Sequence, residues 1–150
     1  MKIKDVSIRD LRSISNLEHQ IFKENAFSIK LVEKLIQQNT LFLKLEDGKI
    51  MKKLIGFIVV IKDREDQANI INFLIHPQFQ SKGYGSLLLQ ETIERIKKRL
   101  KEIKKIVLNV QVNNSLAIKL YEKFNFQKNS KIIENYYPSG EDAYLMELST

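Results

Sequence analysis

The chain has 150 residues, of which 43% are hydrophobic and 29% charged, as is typical of one globular domain. We therefore predict a single domain over residues 1–150, without a signal peptide or membrane contact, in the cytoplasm. The absence of cysteine excludes disulfides, thiolate metal ligands and a cysteine nucleophile, and two histidines are too few for a three-histidine zinc site. The net charge of +7 fits either a solvated lysine-rich surface or an anionic partner: nucleic acid, a ribosome surface or a phosphorylated cofactor.

The first part of the chain predicts a short strand followed by two helices. Residues 10–22 carry Leu11, Ile14, Leu17 and Ile21, and these spacings of three and four predict an amphipathic helix. The pattern breaks at residues 23–27. A second helix is predicted from a cap at Ser28 to about Gln38, with apolar side chains on one side.

Three strands are predicted next, at residues 40–45, 54–61 and 69–75. Asp47-Gly48 between the first two is a hairpin signal, and a charged turn is predicted at residues 62–66. The third strand is a nearly continuous apolar run, which is typical of a strand buried on both faces.

The second half predicts a long helix, a strand, a short helix and two final strands. The long helix begins after Gln80–Gly85, and residues 106–112 alternate as a strand does. Asn113-Asn114-Ser115 is predicted to cap the short helix. Two strands at about 126–134 and 143–148 are joined by a polar loop. The resulting order predicts an α/β (α+β) layer architecture with one mixed sheet.

The segment Gln80–Gly85 stands where a buried strand ends and a helix begins. Backbone N–H groups at such a helix start can cradle an anion, and glycines let phosphate approach the backbone. Gly83 and Gly85 meet this requirement, and Lys82 adds charge. The spacing is neither that of a Walker A loop nor that of the dinucleotide fingerprint. Taken alone, the segment fits a plain strand-to-helix turn equally well.

Three segments together resemble the GNAT superfamily of N-acetyltransferases, and the resemblance covers nearly the whole chain. Gln80–Gly85 resembles the superfamily's Gln/Arg-x-x-Gly-x-Gly/Ala loop. Residues 109–126 are similar to its second half, where the pattern N-x-x-A-I-x-L-Y-x-x-x-x-F is characteristic. Tyr136–Ala143 resembles the substrate loop of N-terminal protein acetyltransferases, of both the ribosomal-protein alanine type and the Ard1 type.

This resemblance implies a fold and a cofactor. The fold is a mixed central sheet of about six to seven strands flanked by four helices, splayed between the strands at 69–75 and 106–112. Acetyl-CoA would lie in that split, with no metal required. The residues implied to bind it are Phe73, Leu74, Ile75, Gln80, Ser81, Lys82, Gly83, Tyr84, Gly85, Ser86, Asn114 and Tyr121.

The resemblance also implies direct attack of an amine on the thioester, with Tyr121 as the acid that protonates the departing sulfur. Many relatives have Glu or His at the strand position held here by Asn109, and asparagine cannot take a proton. Asn109 can still orient a water by hydrogen bonding. Glu24, in a Glu-Asn pair similar to that of Ard1-type enzymes, is the base that we favour. His76 could also serve, although its place before Pro77 suggests a structural role.

The substrate predicted from the resemblance is the N-terminal α-amine of a protein. Asn25 and Phe27 would form one wall of its site, and Tyr136 and Tyr137 the other. Three alternatives remain open at this stage: acetylation of lysine or of a small amine such as a polyamine, a non-catalytic CoA-binding module, and a nucleic-acid-binding protein. The basic cluster at residues 97–105 fits a solvated face or a contact with ribosomal RNA, and no motif for specific nucleic-acid binding is present.

Overall fold

The computed structural model describes residues 1–150 as seven strands in one sheet, covered by four helices. The element order agrees with the predicted order, and the fold class is confirmed. The strands are β1 (Lys2–Asp5), β2 (Leu41–Asp47), β3 (Lys53–Arg64), β4 (Gln67–Ile75), β5 (Lys105–Gln111), β6 (Gln127–Ile133) and β7 (Ala143–Ser149). The helices are α1 (Leu11–Phe22), α2 (Ile29–Gln37), α3 (Tyr84–Arg99) and α4 (Ser115–Lys123).

The sheet has the strand order β1-β2-β3-β4-β5-β7-β6, and β4 with β5 is its one parallel pair. That pair is joined over residues 67–70 of β4 and 105–108 of β5. Beyond Ile70 and Leu108 the two strands no longer pair, although both continue. The sheet is therefore splayed where the sequence predicted a split.

The helices cover the sheet in two layers. Leu88, Leu89 and Ile118 of α3 and α4 are buried in one hydrophobic cluster against the sheet. Ile14 of α1 and Val32 of α2 are buried in a second cluster on its other face. The splay between β4 and β5 thus opens a gap between two packed layers, and a gap in the backbone ladder can admit a ligand.

A β-bulge in β4 decides which side chains face each layer. Val59 pairs with Asn72 but Val60 pairs with Ile70, so Ile71 is an extra residue. An extra residue reverses the alternation of every residue after it. As a result Phe73 joins Ile70 on the α3/α4 side, whereas Asn72 contacts α1 on the opposite side.

Two strand predictions need correction. The predicted charged turn at residues 62–66 is only two residues long, at Glu65 and Asp66, because β3 continues to Arg64 and pairs with Gln67. The strand predicted at residues 69–75 is not buried on both faces, since partly exposed side chains alternate with buried ones over most of β4. The splay lies beside the partly exposed Ile71 and Phe73, whereas Gln67 and Asn69 belong to the part of β4 that pairs with β5. No helix of the protein is long and apolar enough to cross a membrane.

Candidate active site

A cavity of ≈ 310 Å³ lies between the splayed part of β4, the start of α3, and helices α1 and α4. Its lining is mostly apolar, with polar groups at the Gln80–Ser86 loop and the start of α4. Most of the residues that the resemblance assigned to acetyl-CoA lie here together. The lining residues are Ile21, Phe22, Phe73, Leu74, Ile75, Gln80, Ser81, Gly83, Gly85, Ser86, Asn114, Leu116, Ala117, Leu120 and Tyr121.

The loop before α3 has the backbone conformation of an anion cradle. Ser81 (φ 63°) and Gly83 (φ 87°) are both left-handed, and such residues next to a helix start turn successive N–H groups inward. A Cβ on Gly83 would meet no atom within 4 Å, so there is open space above the loop. At Gly85 a Cβ would lie 3.3 Å from the Leu120 side chain. Gly83 therefore leaves room for a ligand, whereas Gly85 lets α3 pack against α4.

Three predicted cofactor residues act mainly on the loop itself. The Gln80 amide donates to the carbonyl of Ile75 (3.0 Å) and ties the loop to the end of β4. The Lys82 ammonium lies 5.7 Å from the centre of the Phe79 ring, and the Tyr84 ring packs on the same phenylalanine. Lys82 and Tyr84 do not line the cavity. Their side chains instead contact Phe79, just before the loop.

Tyr121 lies at the inner end of the cavity on α4 and is 7% exposed. Its ring packs between Phe73 (6.3 Å between centroids) and Phe126 (5.8 Å). Burial, reinforced by the nearby Tyr137, raises the pKa of the Tyr121 hydroxyl well above its ordinary value. The hydroxyl therefore stays protonated and remains a hydrogen-bond donor over the working pH range.

Asn114 begins α4 and lines the same cavity. Its side-chain oxygen accepts a hydrogen bond from the backbone N–H of Ala117 (3.2 Å), which confirms the predicted cap. The cap fixes the side chain at the cavity edge, with its amide nitrogen as the group left to meet a ligand.

The two predicted substrate loops meet across the splay. The Asn25 amide donates to the Ser139 hydroxyl (3.0 Å), and the Ser139 backbone N–H donates to the Asn25 side-chain oxygen (2.9 Å). We call this reciprocal pair the loop clamp. Phe27 is half-buried and packs against the core beneath α1 and α2. The clamp therefore joins the loop after α1 to the loop between β6 and β7.

Asn109 of β5 also contacts the second loop. Its amide donates to the Tyr136 hydroxyl (3.0 Å), while its side-chain oxygen is buried with no hydrogen-bond partner. The Tyr136 and Tyr137 rings stack edge to face with centroids 4.9 Å apart. Burial, with Tyr136 and Glu141 contributing, raises the pKa of Tyr137 to about 12. The structure thus places Asn109 in contact with a substrate-loop tyrosine and leaves it one unused acceptor.

The two ionisable residues considered as base lie outside the cavity lining. Glu24 is exposed on a single 3-10 turn after α1 and makes no hydrogen bond or ion pair. Glu24 directly precedes Asn25 of the loop clamp, so it lies at the edge of the predicted acceptor site. The His76 ring accepts a hydrogen bond from the Gln78 backbone N–H (3.1 Å) and packs on Phe79 (5.7 Å). His76 thus has the structural contacts that its sequence position suggested.

Three further residues of this region escaped the sequence analysis. Ser139 completes the loop clamp, and Glu141 has one buried carboxylate oxygen without a hydrogen-bond partner. Glu18 of α1 is 1% exposed, although glutamate is an ionisable residue. A glutamate inside the apolar stripe of α1 was the available signal for Glu18. Ser139 and Glu141 gave no individual signal beyond their place in Tyr136–Ala143, the segment that resembles a substrate loop.

The chain is similar to known proteins over its whole length. Residues 8–126 match the acetyltransferase (GNAT) family. An N-alpha-acetyltransferase of Sulfurisphaera tokodaii is 28% identical over 97% of this chain and 90% of its own length. The N-alpha-acetyltransferase of Sulfolobus acidocaldarius is 38% identical over 53% of this chain, and the match spans about half (46%) of that relative.

A solved structure supports the same relationship. The ribosomal-protein-S18-alanine N-acetyltransferase from Escherichia coli superposes with a TM-score of 0.82 and 28% identity, covering 99% of this chain and 92% of that one. The splayed sheet, the cavity with its anion cradle and these matches agree with one another. The chain therefore belongs to the acetyltransferase (GNAT) family, and acetyl-CoA is its acetyl donor.

Proposed function

We propose that this enzyme acetylates the N-terminal α-amine of proteins. The observation that carries the proposal is the loop clamp, because it joins the two loops that the resemblance assigns to the acceptor. Asn25 and Phe27 lie on one loop, and Tyr136 and Tyr137 on the other. The names of the relatives, two N-alpha-acetyltransferases and a ribosomal-protein alanine N-acetyltransferase, support the same substrate class.

The chemistry of the acceptor favours an α-amine. An α-amine with a pKa of about 7.7–8.0 is roughly 10% neutral at pH 7, whereas a lysine amine at about 10.4 is only about 0.04% neutral. No carboxylate or histidine lines the cavity. A site without a strong base at its centre therefore suits the amine that more often arrives neutral.

Each residue has a definable part in the transfer. Acetyl-CoA supplies an activated acetyl group. The Gln80–Ser86 loop would hold its phosphates, and the unpaired part of β4 would hold its arm. Tyr121, kept protonated by burial, donates its proton at the hydroxyl toward the sulfur position. Asn109 would orient the acceptor side through its bond to the Tyr136 hydroxyl (3.0 Å), since its side-chain oxygen is buried and Asn109 does not line the cavity.

The proton of the amine needs an acceptor. Glu24 remains our proposed base, since it adjoins the loop clamp through Asn25. Glu141 is a second candidate on the opposite loop: one of its oxygens accepts from the Ser139 hydroxyl (3.4 Å), and the other has no hydrogen-bond partner. The two carboxylates differ in exposure, so their variants can be told apart.

The proposed substrate is tested with three peptides of one sequence and radiolabelled acetyl-CoA. One has a free α-amine and no lysine, one has a blocked α-amine and a free lysine, and one has both amines blocked as the control. We expect acetylation of the first only, located by mass spectrometry. Preferential acetylation of the lysine peptide would overturn the proposal, and spermidine in a parallel assay tests the polyamine alternative.

We also propose that the enzyme works in the cytoplasm near ribosomes, with the C-terminal end of α3 as its contact. The support is electrostatic: Lys97, Lys98 and Arg99 are exposed, and a groove beside them is lined by Lys97, Lys123 and Lys128. Such a surface attracts phosphate backbones without reading sequence. Salt-sensitive co-sedimentation with ribosomes, lost on reversal of these charges, is the expected result. If the enzyme does not co-sediment with ribosomes even at low salt, the proposed ribosome contact is wrong.

A further inference from the structure

Glu18 is a buried carboxylate without a cation. It is 1% exposed on α1 and takes part in no ion pair. The other buried glutamate, Glu46, is instead paired with Lys4 and Lys44. Burying an unpaired carboxylate opposes folding, and an apolar side chain of similar volume would serve stability better. Core packing therefore does not explain why a carboxylate occupies position 18.

The two oxygens of Glu18 bond two different walls of the active site. One accepts from the backbone N–H of Phe27 (2.9 Å), on the loop after α1. The other accepts from the side-chain amide of Asn72. Asn72 follows the bulge of β4 and precedes Phe73, which lines the acetyl-CoA cavity. Glu18 thus joins the substrate loop directly to the splayed strand.

The position of Glu18 fits this joining role. One turn further along α1, Ile21 and Phe22 line the cavity. Asn25 is held from the other side by the loop clamp. The short segment 25–27 is therefore fixed at both ends, at Asn25 by Ser139 and at Phe27 by Glu18. Burial raises the pKa of Glu18, and the bonds from Phe27 and Asn72 oppose that rise.

We infer that Glu18 is a positioning residue that sets the distance between the acceptor-binding loop and β4, and so places the incoming amine against the acetyl group. This inference rests on the proposed function, since it assigns residues 25–27 to the acceptor. Glu18 itself touches neither reactant, because both of its oxygens are engaged within the protein. Its loss should weaken acceptor use and leave acetyl-CoA binding intact.

The test uses isosteric exchanges. In Glu18→Met, which has a similar volume, both acceptors are lost, so the Phe27 N–H and the Asn72 amide have no partner on α1. We expect the KM for the peptide to rise at least tenfold, while the KM for acetyl-CoA stays within twofold. Hydrogen exchange at the Phe27 amide should accelerate at least tenfold. Glu18→Gln is the conservative variant: its oxygen can accept from Phe27 and its amide can donate to the Asn72 oxygen after that side chain turns, so both measurements should stay within threefold of wild type.

Ser15→Ala is the matched control, because Ser15 is buried on the same helix (5% exposed) and its side chain bonds neither wall. It should leave the peptide KM and the Phe27 exchange unchanged. Unchanged Phe27 exchange in folded Glu18→Met would overturn the inference, as would equal rises in both KM values. If Glu18→Met does not fold, Asn72→Leu decides, because it removes only the bond to the strand. A raised peptide KM with an unchanged acetyl-CoA KM in that variant supports the inference, and two unchanged KM values overturn it.

Failure of the proposed function is distinguishable from failure of this inference. A wild-type enzyme that ignores α-amine peptides would overturn the proposed substrate. The exchange of the Phe27 amide does not depend on the substrate. The KM comparison would then be made with the amine that the wild-type enzyme does acetylate.

Discussion

Asn25 and Ser139 hold each other through two hydrogen bonds of 3.0 and 2.9 Å, although 114 positions separate them in the chain. The pair joins the loop after α1 to the β6–β7 loop over the mouth of the splayed sheet. Each partner uses a side-chain atom and neither bond involves a charge. The relative position of the two substrate loops therefore depends on two uncharged hydrogen bonds, which form only when both loops are in place.

Breaking the loop clamp should weaken acceptor binding in graded steps. Asn25→Ala removes both bonds, and at about 0.5–1.5 kcal/mol for each the peptide KM should rise about tenfold. Ser139→Ala removes the bond from Asn25 to the hydroxyl and the longer one from that hydroxyl to Glu141 (3.4 Å). It keeps the backbone bond to Asn25 and should raise the peptide KM about three- to fivefold. Steady-state kinetics at saturating acetyl-CoA measure both. Equal effects of the two variants, or a change in acetyl-CoA binding, would contradict the assigned geometry.

Tyr121→Phe should lower kcat and leave acetyl-CoA affinity nearly unchanged. The ring still packs between Phe73 and Phe126, so the fold is preserved and only the donor is lost. Loss of acid assistance costs about 10²-fold or more in rate. Release of the CoA thiol, followed with a thiol reagent, gives kcat, and calorimetry gives the affinity. A variant that turns over at the wild-type rate would make Tyr121 a packing residue only.

Substitutions at Gly83 can separate backbone strain from loss of the phosphate site. Gly83→Ala fits the open space but costs about 1–2 kcal/mol of stability, because φ is left-handed. Gly83→Glu adds a negative charge above the cradle. We expect calorimetry to show a small loss of acetyl-CoA affinity for Ala and at least a tenfold loss for Glu, or about 1.4 kcal/mol. Equal affinities for the two variants would remove the loop from the cofactor site.

The pH dependence of rate should identify the base. At about pH 9 an α-amine arrives largely neutral, so losing the base matters mostly at about pH 6.5. Glu24→Gln should therefore lower kcat more at the lower pH, and Glu141→Gln is the parallel variant on the other loop. Asn109→Asp should raise the rate at low pH, because it returns a carboxylate to the strand. A Glu24→Gln profile parallel to wild type would remove Glu24 as base and leave the substrate proposal standing.

Glu46 should make stability sensitive to acid. The hydrogen bond from Lys4, with Lys44 on the other oxygen, lowers the pKa of Glu46 below its ordinary value. A lowered carboxyl pKa contributes stability above the unfolded pKa of about 4.3, and this is lost as the pH falls through the folded value. Glu46→Gln should therefore cost about 1–3 kcal/mol near pH 7, with the difference from wild type shrinking below about pH 4. Urea unfolding measures this, and Glu65→Gln on an exposed turn should follow wild type.

Local patterns in the sequence determined most of the fold. Apolar spacings set the helices, and Ser28 and Asn114 cap α2 and α4 as predicted, because a cap needs only a side chain and the next few backbone groups. The glycine loop and the two other family-like segments pointed to the GNAT fold and to acetyl-CoA. Each of these signals is contained in one short segment of the chain, so the sequence alone carries it. The roles of individual site residues, and the single domain over residues 1–150, stay predictions.

The tertiary structure alone decided how the acceptor side is built. The bulge at Ile71 turns Asn72 toward α1, and one extra residue has no signature in an apolar strand. The loop clamp and the bonds of Glu18 join segments that are far apart in the chain. Such contacts depend on how the layers pack and on which polar groups need partners once buried. A pattern along the chain cannot show those partners, because they come into contact only when the sheet and both helical layers are assembled.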